Sequence, residues 1–183
     1  VTGTFQFDAI SYTKVGTYQY EIVEKDLDQK GYTYDDTVYT VTVTVTDDGK
    51  GQLQAVVEGI GTSEEPTITF ENSYAPKPVD VSLGVQGELL KELEGRPLNG
   101  EEFTFAILDG ETELAAAKNG KDGTFKFTLN FTKAGTYNYT IVEKNNAVAG
   151  VTYDDAEYNV EIVIVDKDGS LEADRISYTK NGD

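Results

Sequence analysis

From residue 39 to residue 46 the chain alternates without a break, with Tyr39, Val41, Val43 and Val45 on one side and Thr40, Thr42, Thr44 and Thr46 on the other. A period of two carried by β-branched residues predicts a strand with one face buried. Tyr158, Val160, Ile162 and Ile164 repeat the inward row in the second half of the chain. Runs rich in Gly and Asp separate the apolar segments at residues 47–49, 119–123 and 166–169, where they predict turns. No stretch sustains a 3.6-residue period, and at residues 115–118 the most that is expected is one helical turn.

The alternation recurs because the chain repeats itself. Residues 4–55 reappear at 124–173, offset by 118 to 120 positions, and GTYQYEIVEK and GTYNYTIVEK agree at eight of ten. A period this long is that of a whole domain, so the expected architecture is all-β: tandem Ig-like β-sandwiches. We place the first module at 1–75, a linker at 76–78 and the second module at 79–183. Residues 79–123 have no counterpart before residue 4, and residues 67–74 have none after Asp183. The first module is therefore expected to lack its opening strands and the second its closing strand, as in a piece of a longer chain.

Polar residues interrupt the apolar rows at three kinds of place, four residues in all. Glu24 continues the row of Tyr18, Tyr20 and Ile22, and Glu143 that of Tyr137, Tyr139 and Ile141. Asn72 follows Ile68 and Phe70 and precedes Tyr74, while Lys91 lies among Val81, Leu83, Val85, Leu89 and Leu93. Any one of them could mark the point where a strand ends and a side chain reaches water. Taken together they suggest chemistry, because a buried unpaired charge costs several kcal/mol unless it neutralises. A neutral Lys amine is a nucleophile. A neutral Glu beside it can polarise an Asn carboxamide and shuttle protons, so that the amine displaces ammonia and a Lys-Asn amide remains.

Composition narrows the alternatives. The 183 residues contain no His and no Cys, which excludes Ser-His-Asp and Cys-His catalysis, thiolate or imidazole zinc sites and disulfides. A formal charge of −18 argues against nucleic acid as a partner and against anionic lipid, and no apolar run is long enough to suggest a spanning helix. Asp166, Asp168 and Ser170 begin like a calcium loop. Gly169 comes two residues before the glycine such a loop needs, however, and Ser177 stands where the closing Glu should be, so a hairpin is expected, with no metal and no cofactor.

The runs KELEGRPLNGEEFTFAILDG, YTKVGTYQYEIVEK, YTYDDTVYTVTVTVTDDGKG and ITFENSY resemble the isopeptide-linkage domains of Gram-positive pilins and long surface adhesins. The resemblance implies a reverse-Ig, CnaB-like sandwich in which a Lys of the first strand is bonded to an Asn of the last, assisted by a Glu of a middle strand. By motif, Lys91 of KELEGR matches that Lys, Asn72 of FENSY that Asn, and Glu24 and Glu143 of YxYxIVEK the Glu. It also implies an extracellular, cell-surface or cell-wall stalk whose partners are neighbouring domains of the same parent chain. The chain would then be no enzyme beyond a single self-directed turnover. A module that binds a glycan or host protein is the other class considered, and turnover by a chance carboxylate pair a third. Counted through the repeat, the Lys of the first module falls near 91 − 119 = −28 and the Asn of the second near 72 + 118 = 190. Lys91 and Asn72 are therefore expected to be halves of two different bonds, the alternative being that the first module closes on the strands after Val79 and brings the two together.

Overall fold

A computed structural model describes residues 3–59 and 67–181. The terminal residues Val1, Thr2, Gly182 and Asp183, on which the reading of the ends partly rests, lie outside the described residues. Among the described residues there are twelve strands and no helix. They are β1 (Gly16–Ile22), β2 (Tyr32–Thr33), β3 (Tyr39–Asp47), β4 (Leu53–Gly59), β5 (Ser73–Tyr74), β6 (Val79–Leu83), β7 (Thr104–Asp109), β8 (Thr112–Lys118), β9 (Phe127–Phe131), β10 (Gly135–Lys144), β11 (Glu157–Lys167) and β12 (Ser170–Lys180). Contacts divide the chain into one unit of Val1–Asp28 with Thr33–Ser73, and another of Gln29–Tyr32 with Tyr74–Asp183. The short strands β2 and β5 pair with each other.

In the first unit β1, β3 and β4 form an antiparallel sheet in that order. Tyr18 stands opposite Val43 and Val43 opposite Val57, so the apolar row forms one face and the Thr row the other. Val43 and Val45 are buried, while Phe5 and Phe7 in the irregular segment before β1 are 55% and 63% exposed.

The second unit is a sandwich. A five-stranded sheet in the order β12-β11-β10-β7-β8 lies over the pair β6-β9. Ile141, Val160, Ile162, Ile164, Phe105 and Ile107 from the large sheet share one buried cluster with Val81, Leu83, Phe127, Leu129 and Phe131 from the small one. The register of the first unit recurs, with Tyr137 opposite Ile162 and Ile162 opposite Ile176, each 119 residues beyond its counterpart. Phe125 and Phe127, the counterparts of Phe5 and Phe7, are 7% and 2% exposed.

Two local expectations change. Residues 115–118 are strand rather than helical turn, because Ala115, Ala116 and Ala117 pair with Ile107, Ala106 and Phe105. The sheet contacts outweigh the helix propensity of alanine. Lys77, in the expected linker, is knit into the second unit by donating to Gly169 O at 2.8 Å and accepting from Leu171 N–H at 2.9 Å. Asp168 and Gly169, with φ of 50° and 78°, form the two-residue turn of the β11-β12 hairpin. The Asp166 carboxylate accepts the Gly169 N–H at 3.0 Å, so this acidic run is a turn.

Candidate functional site

In the second unit the chain leaves β6, turns at residues 84–87 and returns beside residues 123–125. Lys91 N–H donates to Gly123 O at 2.9 Å, and Phe125 N–H to Leu89 O at 3.2 Å, which aims the Lys91 side chain inward. Glu143 comes from β10, where it stands opposite Phe105. Lys91 Nζ lies 2.9 Å from Glu143 Oε1 and 3.0 Å from Oε2, with the two side chains 11% and 4% exposed. Only the Oε2 contact has hydrogen-bond geometry, which leaves Oε1 buried without a hydrogen bond among the described residues. Oε2 also accepts the Asp154 N–H at 3.0 Å. The ring of Phe103, wholly buried, lies 4.6 Å from the ammonium and adds a cation–π contact. A cleft of about 460 Å³ opens beside the pair, lined by Phe105, Phe125, Asp154 and Tyr158 among others.

Phe103 is held in turn by Asn119, a buried polar side chain. Asn119 Oδ1 accepts the Phe103 N–H at 2.7 Å, and its Nδ2 donates to the carbonyls of Asn99 and Gly120, both at 2.8 Å. Every polar atom of the carboxamide is satisfied, as burial requires.

The first unit presents the other half. Asn72 Nδ2 donates to Glu24 Oε1 at 2.7 Å, and Asn72 Oδ1 accepts the Asp35 N–H at 2.9 Å. Glu24 Oε2 is buried without a hydrogen-bond partner among the described residues. The Asp35 carboxylate accepts the Thr37 N–H on Oδ1 at 2.9 Å and the Glu71 N–H on Oδ2 at 2.8 Å. Hydrogen bonding from the Thr37 side chain, then from the Glu71 and Thr37 N–H groups, holds the Asp35 carboxyl below its usual range. Residues 67–72 form no strand. Tyr39 OH, donating to Thr69 O at 2.7 Å, helps tie them down, and Asn72 itself is exposed while Ile68 and Phe70 are half-buried.

The four polar residues of the apolar rows thus meet as two pairs, each within one unit: Lys91 with Glu143, and Asn72 with Glu24. Lys91 and Asn72 belong to different units. Sequence reasoning missed Phe103, Asn119, Asp35 and Asp154. For the two aspartates the signal was available in the run TYDD, which both copies contain. Chemically, each carboxylate is placed to exchange a proton with its partner, an amine in one unit and a carboxamide NH₂ in the other.

No curated protein matches the chain. The FctA family, described as Spy0128-like isopeptide containing domain, matches residues 1–75 and 88–183. With all-β units built on a repeated register and nearly all of its length covered, the chain belongs to this family of pilin-type, isopeptide-containing structural domains.

Proposed function

We propose that each repeat is a load-bearing module of a Gram-positive surface pilus or adhesin stalk, outside the cell, that locks itself with a Lys-Asn amide under the control of its buried Glu. The observation that carries this reading is the matched use of one carboxylate position. Glu143 holds Lys91 at 2.9 Å, and Glu24, its counterpart 119 residues earlier, holds Asn72 at 2.7 Å. Superposed through the repeat, the two pairs make one site in which a carboxyl touches both reacting groups.

Transfer of one proton from the Lys ammonium to the Glu carboxylate leaves a neutral amine and a neutral carboxyl. The amine nitrogen attacks the carboxamide carbon, and a C–N bond forms. The carboxyl protonates the departing NH₂, takes a proton from the attacking nitrogen, and ammonia leaves. No metal, cofactor or external substrate enters, so the activity is a single turnover on the chain itself. By the loop-closure arithmetic used for disulfides, tying off about 100 residues stabilises a module by roughly 4 to 5 kcal/mol. Neighbouring modules of the parent chain are the partners such a stalk needs.

Residue 183 corresponds to residue 183 − 119 = 64, so appending residues 65–75 after Asp183 continues the repeat in register and gives Lys91 and Glu143 an Asn. The extended chain is expected to lose the mass of one ammonia, and its Glu143→Ala variant to keep it. An extended chain that folds and retains full mass overturns the reading.

A further inference from the structure

Asp35 and Asp154 occupy the same place in the repeated TYDD run, 119 residues apart, and each directs its backbone N–H into its own unit's site. In the first unit this N–H meets the Asn72 carbonyl oxygen at 2.9 Å, and in the second it meets Glu143 Oε2 at 3.0 Å. We propose that the first aspartate of each TYDD run is both oxyanion donor and strand latch for amide formation. Its N–H stabilises the charge that develops on the Asn carbonyl oxygen, and its carboxylate holds the main chain just before that Asn. The assignment rests on the Lys-Asn reading above.

Two features of the first unit support it. The Asn72 carboxamide is oriented by unlike partners, with NH₂ on Glu24 and carbonyl oxygen on Asp35 N–H. Attack at the carbon moves negative charge onto that oxygen, where a fixed donor already points, while the leaving nitrogen faces the group that protonates it. Second, Asp35 grips two consecutive residues, Glu71 through its Oδ2 and Asn72 through its N–H. Because residues 67–72 have no sheet ladder, this two-point clamp supplies registration that hydrogen-bonded strands would otherwise give. In the second unit the Asp154 carboxylate caps its own turn at Ala156 N–H, 2.9 Å away, and the N–H rests on Glu143. Asp154 N–H therefore has to move from carboxylate to carboxamide when an Asn arrives.

The test uses the full chain extended by residues 65–75. Replacing the Asp154 peptide N–H by an ester oxygen is expected to slow ammonia loss on the order of 100-fold. Asp154→Ala should also slow it, and Asp154→Asn, which keeps a side-chain acceptor, should recover part of that rate. An ester variant that reacts at the parent rate overturns the donor assignment, and an Asp154→Ala variant that does so overturns the latch. A parent that loses no ammonia overturns the Lys-Asn reading instead. Should the ester variant fail to fold, the unextended 183-residue chain still decides: a through-hydrogen-bond NMR coupling between Asp35 nitrogen and the Asn72 carboxamide carbon supports the donor, and its absence overturns it.

Discussion

Asp35 and Glu24 are both carboxylates of the first unit, and their surroundings direct them to different work. Asp35 has N–H donors on both oxygens, whereas Glu24 keeps one buried oxygen without a hydrogen-bond partner among the described residues. The folded Asp35 carboxyl is held below its ordinary value of 3.8, so on acidification the unfolded chain binds this proton first. Its contribution is therefore complete above that value and lost as the pH falls below it, through the lowered folded value. Amide exchange at Asp35 and Glu71 should accelerate in that window, and the step should be missing at Glu71 in Asp35→Ala. An acid titration followed by NMR reads both. Lys91, Asn72, Glu24 and Glu143 were legible because a polar residue in an apolar row breaks a pattern. Asp35, Asp154 and Asn119 break no such row: the repeated TYDD run marks the two aspartates but not their partners, which tertiary structure sets, and NGKDG reads only as a turn.

At the scale of elements, period-two rows gave the principal strands, and the shared register of β1-β3-β4 and β10-β11-β12 shows why the repeat was so readable. Inward residues must match across three strands at once, and a slip of one would turn every row over. β8 was illegible, since its alanines carry helix propensity and only pairing with β7 overrules it. The connection that carries Lys91 depends on a glycine in the facing turn. Gly123 has φ of 84°, and a Cβ there would lie 2.3 Å from the Lys91 carbonyl oxygen. Gly123→Ala should destabilise the second unit by at least about 1 to 2 kcal/mol from backbone strain alone. Gly123→Asn, better suited to positive φ, should do little better because the clash remains. Urea denaturation compares the two.

Across the whole molecule the repeats share a strand plan and differ in how well they are packed. The buried cluster belongs to the second unit, whereas in the first Phe5 and Phe7 stay more than half exposed. At roughly 1.5 to 3 kcal/mol for a large apolar side chain moved fully out of water, these two partly exposed rings together separate the units by about 2 to 3 kcal/mol. The first unit should accordingly open first. Hydrogen exchange is expected to be faster in β3 than in β11, and brief chymotrypsin treatment should cut after Phe5 or Phe7 before any cut in the second unit's core. Equal protection of β3 and β11 would contradict this. Phe5 and Phe125 sit in nearly the same words, so the difference comes from what covers them: Phe127 pairs with Leu83 of β6, and residues 79–123 have no counterpart before residue 4.

The rest position of the Asp154 N–H has a consequence for timing. While it lies on Glu143, one carboxylate oxygen carries both a backbone donor and the Lys91 ammonium. Under the proposed reading, both donors must be rearranged before that carboxyl can face a carboxamide as well. An arriving carboxamide that draws the backbone donor away would leave that oxygen to the Lys91 ammonium alone. On the proposed reading the arrival of the last strand would therefore do two things at once, delivering the second reactant and resetting the hydrogen bonds around Glu143.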